Sequence, residues 1–142
     1  MSHTGPTEGT LKVFPALRLS SAYVLLRPFF RPKSADPTQA SYLAAANWEP
    51  DLDSTAFPGS VPGNGQELND ETHPHLRLDR ALIPVPRVKP GDHVFWSGDT
   101  IHAVESIHNG SESSSVMYIP AVPLTLQKYV SRRPALVTRA TH

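Results

Sequence analysis

Pro90-Gly91-Asp92-His93-Val94-Phe95-Trp96-Ser97-Gly98-Asp99-Thr100-Ile101-His102-Ala103-Val104-Glu105 is the stretch on which the fold reading turns. Pro90-Gly91-Asp92 reads as a tight turn, since proline fixes φ and glycine supplies the positive φ that a reversal needs. Residues 93–96 then alternate as a β-strand, with Val94 and Trp96 on one face and His93 and Phe95 on the other. Ser97-Gly98-Asp99 interrupts the strand, and a second one is expected over 101–107. His102 opens that second strand beside an acid, at the mouth of a sheet, where a β-barrel would hold a metal ion.

Working outward, Asn109-Gly110 is a strong hairpin signal. It predicts that 101–107 turns back into a further strand over 114–119, which Pro120 and Pro123 close. On the N-terminal side, Leu76 and Leu78 alternate with Arg77 and Asp79, which predicts a half-buried strand. Residues 81–88 continue extended, with Pro84 and Pro86 tolerable at an edge. His73 and His75 flank Pro74 and read as surface or lid residues, while Phe95 and Trp96 read as core. Residues 33–71 carry weak order signals and read as an inserted loop or lid over the barrel mouth. Within it, 42–48 allows one or two helical turns after Ser41, and 57–65 is loop on any reading. Residues 11–14 predict a short strand and 17–26 a short helix stopped at Arg27-Pro28. The first ten residues read as loop, 124–133 as a terminal helix, and 134–142 as an irregular tail.

The chain is read as a single domain over its 142 residues, mainly β, a partial jelly roll with a few short helices. Fifteen prolines disfavour long helices and suit short strands joined by loops. Lysine plus arginine and aspartate plus glutamate each number 13, well interspersed, so no basic stripe for nucleic acid is present. No apolar run is long enough for a transmembrane helix. With no cysteine and no leader pattern, a cytoplasmic protein is the default expectation.

Seven histidines invite a metal search. A non-haem iron site needs two histidines and a carboxylate on one face, with positions left open. His102 suits a late ligand, but no His-x-Asp or His-x-Glu pair occurs in the chain, and His3 with Glu8 has the wrong spacing. Against a ligand role stands the plain one, since a histidine at a strand start is often a hydrogen-bonded structural residue. Asp99 reads equally as a turn cap. No nucleophile elbow, Walker loop or dinucleotide fingerprint is present.

Residues 2–11, Leu26-Arg27-Pro28-Phe29-Phe30, His73-Pro74-His75-Leu76-Arg77-Leu78-Asp79-Arg80, Pro90-Gly91-Asp92, Asp99-Thr100-Ile101-His102-Ala103-Val104-Glu105 and Ser114-Ser115-Val116-Met117-Tyr118-Ile119-Pro120 look like consecutive blocks of the YbiU-like domain-of-unknown-function family. That family is similar to the Fe(II)/2-oxoglutarate-dependent dioxygenases, with a double-stranded β-helix fold. The resemblance implies that His102 is the distal iron ligand, with Asp99 supporting it. It implies that the His-x-Asp ligands lie N-terminal to Met1, so that this chain is the C-terminal part of a longer oxygenase. It further implies Fe(II) and 2-oxoglutarate as cofactors and an unknown small-molecule substrate. For the 2-oxoglutarate carboxylate, Arg27, Ser115 and Tyr118 are the candidates, with Arg27 weighed against a helix-capping role. Two other readings stay open: a catalytically inactive fragment that associates through exposed sheet edges, and a cupin-like small-molecule binding module.

Overall fold

Leu11, Lys12 and Val13 form the central strand of the larger sheet, β1 (Leu11–Val13), in a computed structural model that describes residues 3–119. On one side β1 pairs antiparallel with β4 (Ile83–Pro84), and on the other with β5 (His102–Val104). The registers set Val13 opposite both Ile83 and His102. Pairing extends past the strands: Thr4 and Val88 exchange both backbone bonds, at 3.1 and 2.7 Å, and Glu8 bridges His108. The residues before Leu11, expected as loop, are turns carrying two isolated bridges, and the central strand lies within the 11–14 stretch predicted as a strand. The pairing is long-range. Glu105 pins it, accepting the backbone N–H groups of Thr7 (3.1 Å) and Thr10 (3.2 Å). Those donors, Thr7 first, hold its carboxyl below the usual carboxylate range.

A second, two-stranded sheet joins β2 (Phe30–Pro32) to β3 (Trp48–Pro50), so part of the predicted insertion is ordered ladder. Between them the chain makes a 3-10 turn at Ala45–Asn47, within the span where helical turns were expected. Helix α1 (Leu17–Leu26) forms where the sequence predicted it and runs into a 3-10 turn, Arg27–Phe29, with Pro28 near the turn's start. The architecture is thus small antiparallel sheets with few helices.

Three expectations are corrected. The strand read from Leu76 and Leu78 is instead two successive turns, a 3-10 turn at Pro74–Leu76 and a short helix α2 (Leu78–Ala81). Arg77 joins them in the left-handed region at φ 49°, so each turn buries one leucine and the pair mimics a period of two. Asp70 caps α2, its carboxylate accepting the N–H of Leu78 at 2.7 Å and of Asp79 at 3.3 Å. The hairpin at Asn109-Gly110 is also absent. Asn109 N–H bonds Thr7 carbonyl at 2.8 Å, and Ser114 reaches Thr4 at 3.2 Å, so the chain returns to the N-terminal strand and 114–119 forms no ladder.

Third, residues 93–96 are not a paired strand, although their alternation survives: the His93 and Phe95 rings stack at 6.1 Å and 18° on one side. A strand needs a neighbour for its N–H and C=O groups, and none of the described residues bonds this backbone. Phe95, expected in the core, is 83% exposed. The buried large apolar side chains among the described residues are Leu76 and Leu78. The predicted helix over 124–133 and the tail over 134–142 lie outside the described residues.

Candidate functional site

β5 delivers His102 to the rim of an open groove of about 770 Å³. One wall is α1, through Ser20, Ser21, Val24 and Leu25, and the floor includes Leu78 of α2 and Leu82 just beyond it. The turn at 98–100 and the start of β5 form the opposite wall, so Asp99 and His102 share the space with Glu67. Helical spacing explains the α1 contribution: positions 20, 21, 24 and 25 fall on one face. The groove thus brings one imidazole and two carboxylates to a mostly apolar trough.

The orientation of His102 is set locally. Its Nδ1 lies 2.8 Å from the carbonyl oxygen of Thr100, which can only accept, so Nδ1 carries the proton and Nε2 presents a lone pair. That is the arrangement ligating histidines use, the far nitrogen held by a carbonyl and the near one free for a metal. Trp96 packs beside the ring, 5.7 Å between centroids at 58°, which limits its rotation. Asp99 has its own N–H on Ser97 Oγ at 3.3 Å, shaping the turn that precedes His102. Among the described residues no group of three or more His, Cys, Asp or Glu side chains converges on one point. His3 and Glu8 come together with Arg87 around a small cavity of about 170 Å³, where Glu8 is paired with Arg87.

Arg27, the candidate co-substrate anchor, does not line the groove. Its Nε donates to Thr72 carbonyl and its Nη1 to Phe30 carbonyl, both at 2.8 Å, and the guanidinium lies 5.0 Å above the Trp48 ring. It ties the end of α1 to β2 and to the turn before His73. We expect Arg27→Lys to lower stability by about 2 kcal/mol, because an ammonium cannot make the forked pair or stack flat on the indole. A urea denaturation midpoint checks it. If Arg27 instead held a co-substrate carboxylate, the midpoint would stay and only 2-oxoglutarate affinity would fall. Of the other two candidates, Tyr118 is exposed, and Ser115 belongs to a segment outside any ladder.

A second cluster lies on the other side of Arg27. His73, expected at the surface, is completely buried. Its Nδ1 is 2.8 Å from Thr72 Oγ1, and that hydroxyl donates to Asn69 Oδ1 at 3.0 Å, so Nδ1 is the donor and Nε2 is left bare. No partner reaches His73 Nε2. Tyr23 contacts the ring edge-on at 6.1 Å, and Trp48 meets His75 at 4.8 Å. Burial first, and the Arg27 charge second, hold His73 below its ordinary pKa. Burial also lowers His75, although its contact with the Leu43 backbone works the other way. Nothing in the local pattern His73-Pro74-His75 separates the buried ring from the exposed one. Gly59, from a loop the sequence marks only as glycine- and proline-rich, lies against the buried ring: a Cβ built on it would stand 3.4 Å from His73 Cε1.

With sheet, groove and histidine in place, the class can be stated. Residues 1–139 match the family described as Gig2-like, and the chain belongs to that family. The uncharacterized protein YbiU of Escherichia coli (strain K12) is 32% identical over 119 residues, which is 84% of this chain and 23% of YbiU. The crystal structure of GlcNAc Inducible Gene 2 (GIG2) from Candida albicans matches with a TM-score of 0.79 and 41% identity, over 96% of this chain and 29% of that one. The chain therefore spans between 23% and 29% of the length of these relatives. The YbiU-like resemblance read from the sequence holds as family membership. No helix among the described residues is long and apolar enough to cross a membrane.

Proposed function

We propose that this chain is the part of an Fe(II)/2-oxoglutarate-dependent dioxygenase-like protein that carries the distal histidine, within an incomplete jelly roll. The observation that supports this most directly is the Thr100 carbonyl on His102 Nδ1, which leaves Nε2 ready to ligate at the rim of a groove. The donor set fits one corner of a two-histidine, one-carboxylate triad and not the whole of it. No oxygenase step is therefore derived from this chain by itself. When bound in a complete site, the iron would supply the oxidising chemistry, while these residues orient one ligand and offer an apolar trough for a small-molecule substrate. Asp99 steadies the turn before the ligand. Ser115 and Tyr118 stay as co-substrate contacts in this reading, and Arg27 becomes a positioning residue because its Nε and Nη1 are held by backbone carbonyls away from the groove. The trough's apolar lining also suits a second reading, a metal-free module that binds a small ligand.

Titrating the chain with Co(II) and following the histidine ring protons by NMR separates the two. Weak binding is expected, with paramagnetic broadening centred on His102, and His102→Ala should reduce that affinity at least about 10-fold. With Fe(II) and 2-oxoglutarate the chain alone should release no succinate. Broadening centred on His75 or His108, with the His102 ring untouched, removes the iron reading. Succinate release that depends on His102 would mean that a full ligand set exists within these residues.

A further inference from the structure

One edge of β5 faces away from β1 and has no partner strand among the described residues. We propose that it, together with residues 93–96 and the adjoining groove, takes extended apolar strands from the part of a Gig2-like polypeptide outside the span this chain shares with its relatives.

Three observations converge on it. In the antiparallel register Ala103 faces Lys12, Phe14 N–H bonds Ile101 carbonyl at 2.9 Å, and Glu105 N–H bonds Thr10 carbonyl at 2.9 Å. Residues 101, 103 and 105 therefore point their backbone groups at β1, and those of His102 and Val104 point outward. β5 has no second partner strand among the described residues. Residues 93–96 keep a strand's alternation with no ladder, so a second extended segment also waits for a neighbour. Apolar side chains go with these segments: Leu25, which lines the groove, is 71% exposed, and Val104 on β5 and Phe95 in 93–96 are exposed as well. Open edges flanked by apolar side chains are the template that strand addition uses, backbone bonds giving affinity and alternate side chains entering the trough.

The occupant follows from the relatives. GIG2 carries this fold at a TM-score of 0.79 in a polypeptide of which the match is 29%. A core of two large apolar residues is small for the described span 3–119, and the relatives are longer than this chain. A formal net charge of zero gives no reason to expect a charged partner instead.

The test uses the 142-residue chain co-expressed with GIG2 lacking its matching segment, and a chimera in which this chain replaces that segment. A one-to-one complex is expected, in which the amides of His102 and Val104 exchange at least about 100-fold more slowly than in the chain alone. Leu25→Asp, tolerated by the chain because the side chain is exposed, should weaken the complex at least about 10-fold. The chimera guards against a GIG2 remainder that cannot fold alone: it should be soluble, with the same two amides protected. The proposal is overturned by a chimera in which those amides exchange freely. It is equally overturned by a monomeric chain whose β5 amides are already slow, or by a homodimer formed through this face. His102→Ala should leave the complex intact while lowering its Co(II) affinity, so metal binding unchanged by that substitution within a preserved complex defeats the iron reading alone.

Discussion

Gly59→Ala should destabilise the protein by about 3 kcal/mol, the largest effect expected of a single methyl group here. Gly59 sits at φ +76°, where an L-residue is strained by about 1–2 kcal/mol. A Cβ built on it would also stand 2.0 Å from the carbonyl oxygen of Glu67 and 3.4 Å from Cε1 of His73. The first of these is backbone and cannot swing aside, because Glu67 N–H is itself bonded to Gly59 carbonyl at 2.8 Å and Gln66 Nε2 to Pro58 carbonyl at 2.9 Å. Relief requires the loop to lift off His73, and with it Gln66, Glu67 and Leu68, which line the groove beside His102. Gly63→Ala is the matched control: φ is +86° but nothing lies within 4 Å of the added carbon, so about 1 kcal/mol is expected. Urea midpoints of the two variants decide the matter. Equal losses would show that Gly59 is there for its backbone conformation and not for close packing over the histidine.

Acidification should unfold the protein from below the ordinary histidine pKa of 6.5, before its carboxylates begin to protonate. The ring of His73 is enclosed by Thr72, Tyr23, Arg27 and the Gly59–Glu67 closure, and its bare Nε2 has no acceptor for an added proton. Its folded pKa is depressed, so the unfolded chain takes up the proton first as the pH falls through 6.5. The stability it contributes is thus complete above that value and is lost below it. His75 is shifted in the same direction and adds to the slope. Each histidine adds at most about 1.4 kcal/mol per pH unit. Glu105 and Asp36, whose pKa values are lowered, lose stability only below their ordinary values of 4.5 and 3.8, which leaves a separate window for the histidines. His73→Gln should flatten the slope of stability between pH 4.5 and 6.5 by about half. A slope unchanged by that substitution would assign the acid transition to other groups.

Much of the local structure was legible in the chain. Arg27-Pro28 marked the end of α1, a strand was expected across residues 11–14 where β1 covers Leu11–Val13, and His102 was placed at the start of the strand it does begin. The errors share one cause. Leu76-Arg77-Leu78 alternates like a strand, yet the Asp70 cap and the left-handed Arg77 bend it into two turns. Asn109-Gly110 has hairpin chemistry, yet Thr7 and Thr4 capture the residues around it. In each case a partner distant in sequence supplied bonds stronger than the local preference, and period and turn chemistry do not record distant partners.

What the amino-acid sequence determined by itself is the β-rich class, the short elements between prolines, the family blocks and the position of His102 on its strand. Only the tertiary structure decided that β1 is the sheet's centre with β4 and β5 on either side, that His73 is buried while His75 is not, and that Arg27 is a clamp away from the groove. It alone left residues 93–96 and the outer edge of β5 unpaired among the described residues. The physical reason is that periodicity and turn residues act over a few positions, whereas backbone ladders and burial are settled by whichever segments meet in space.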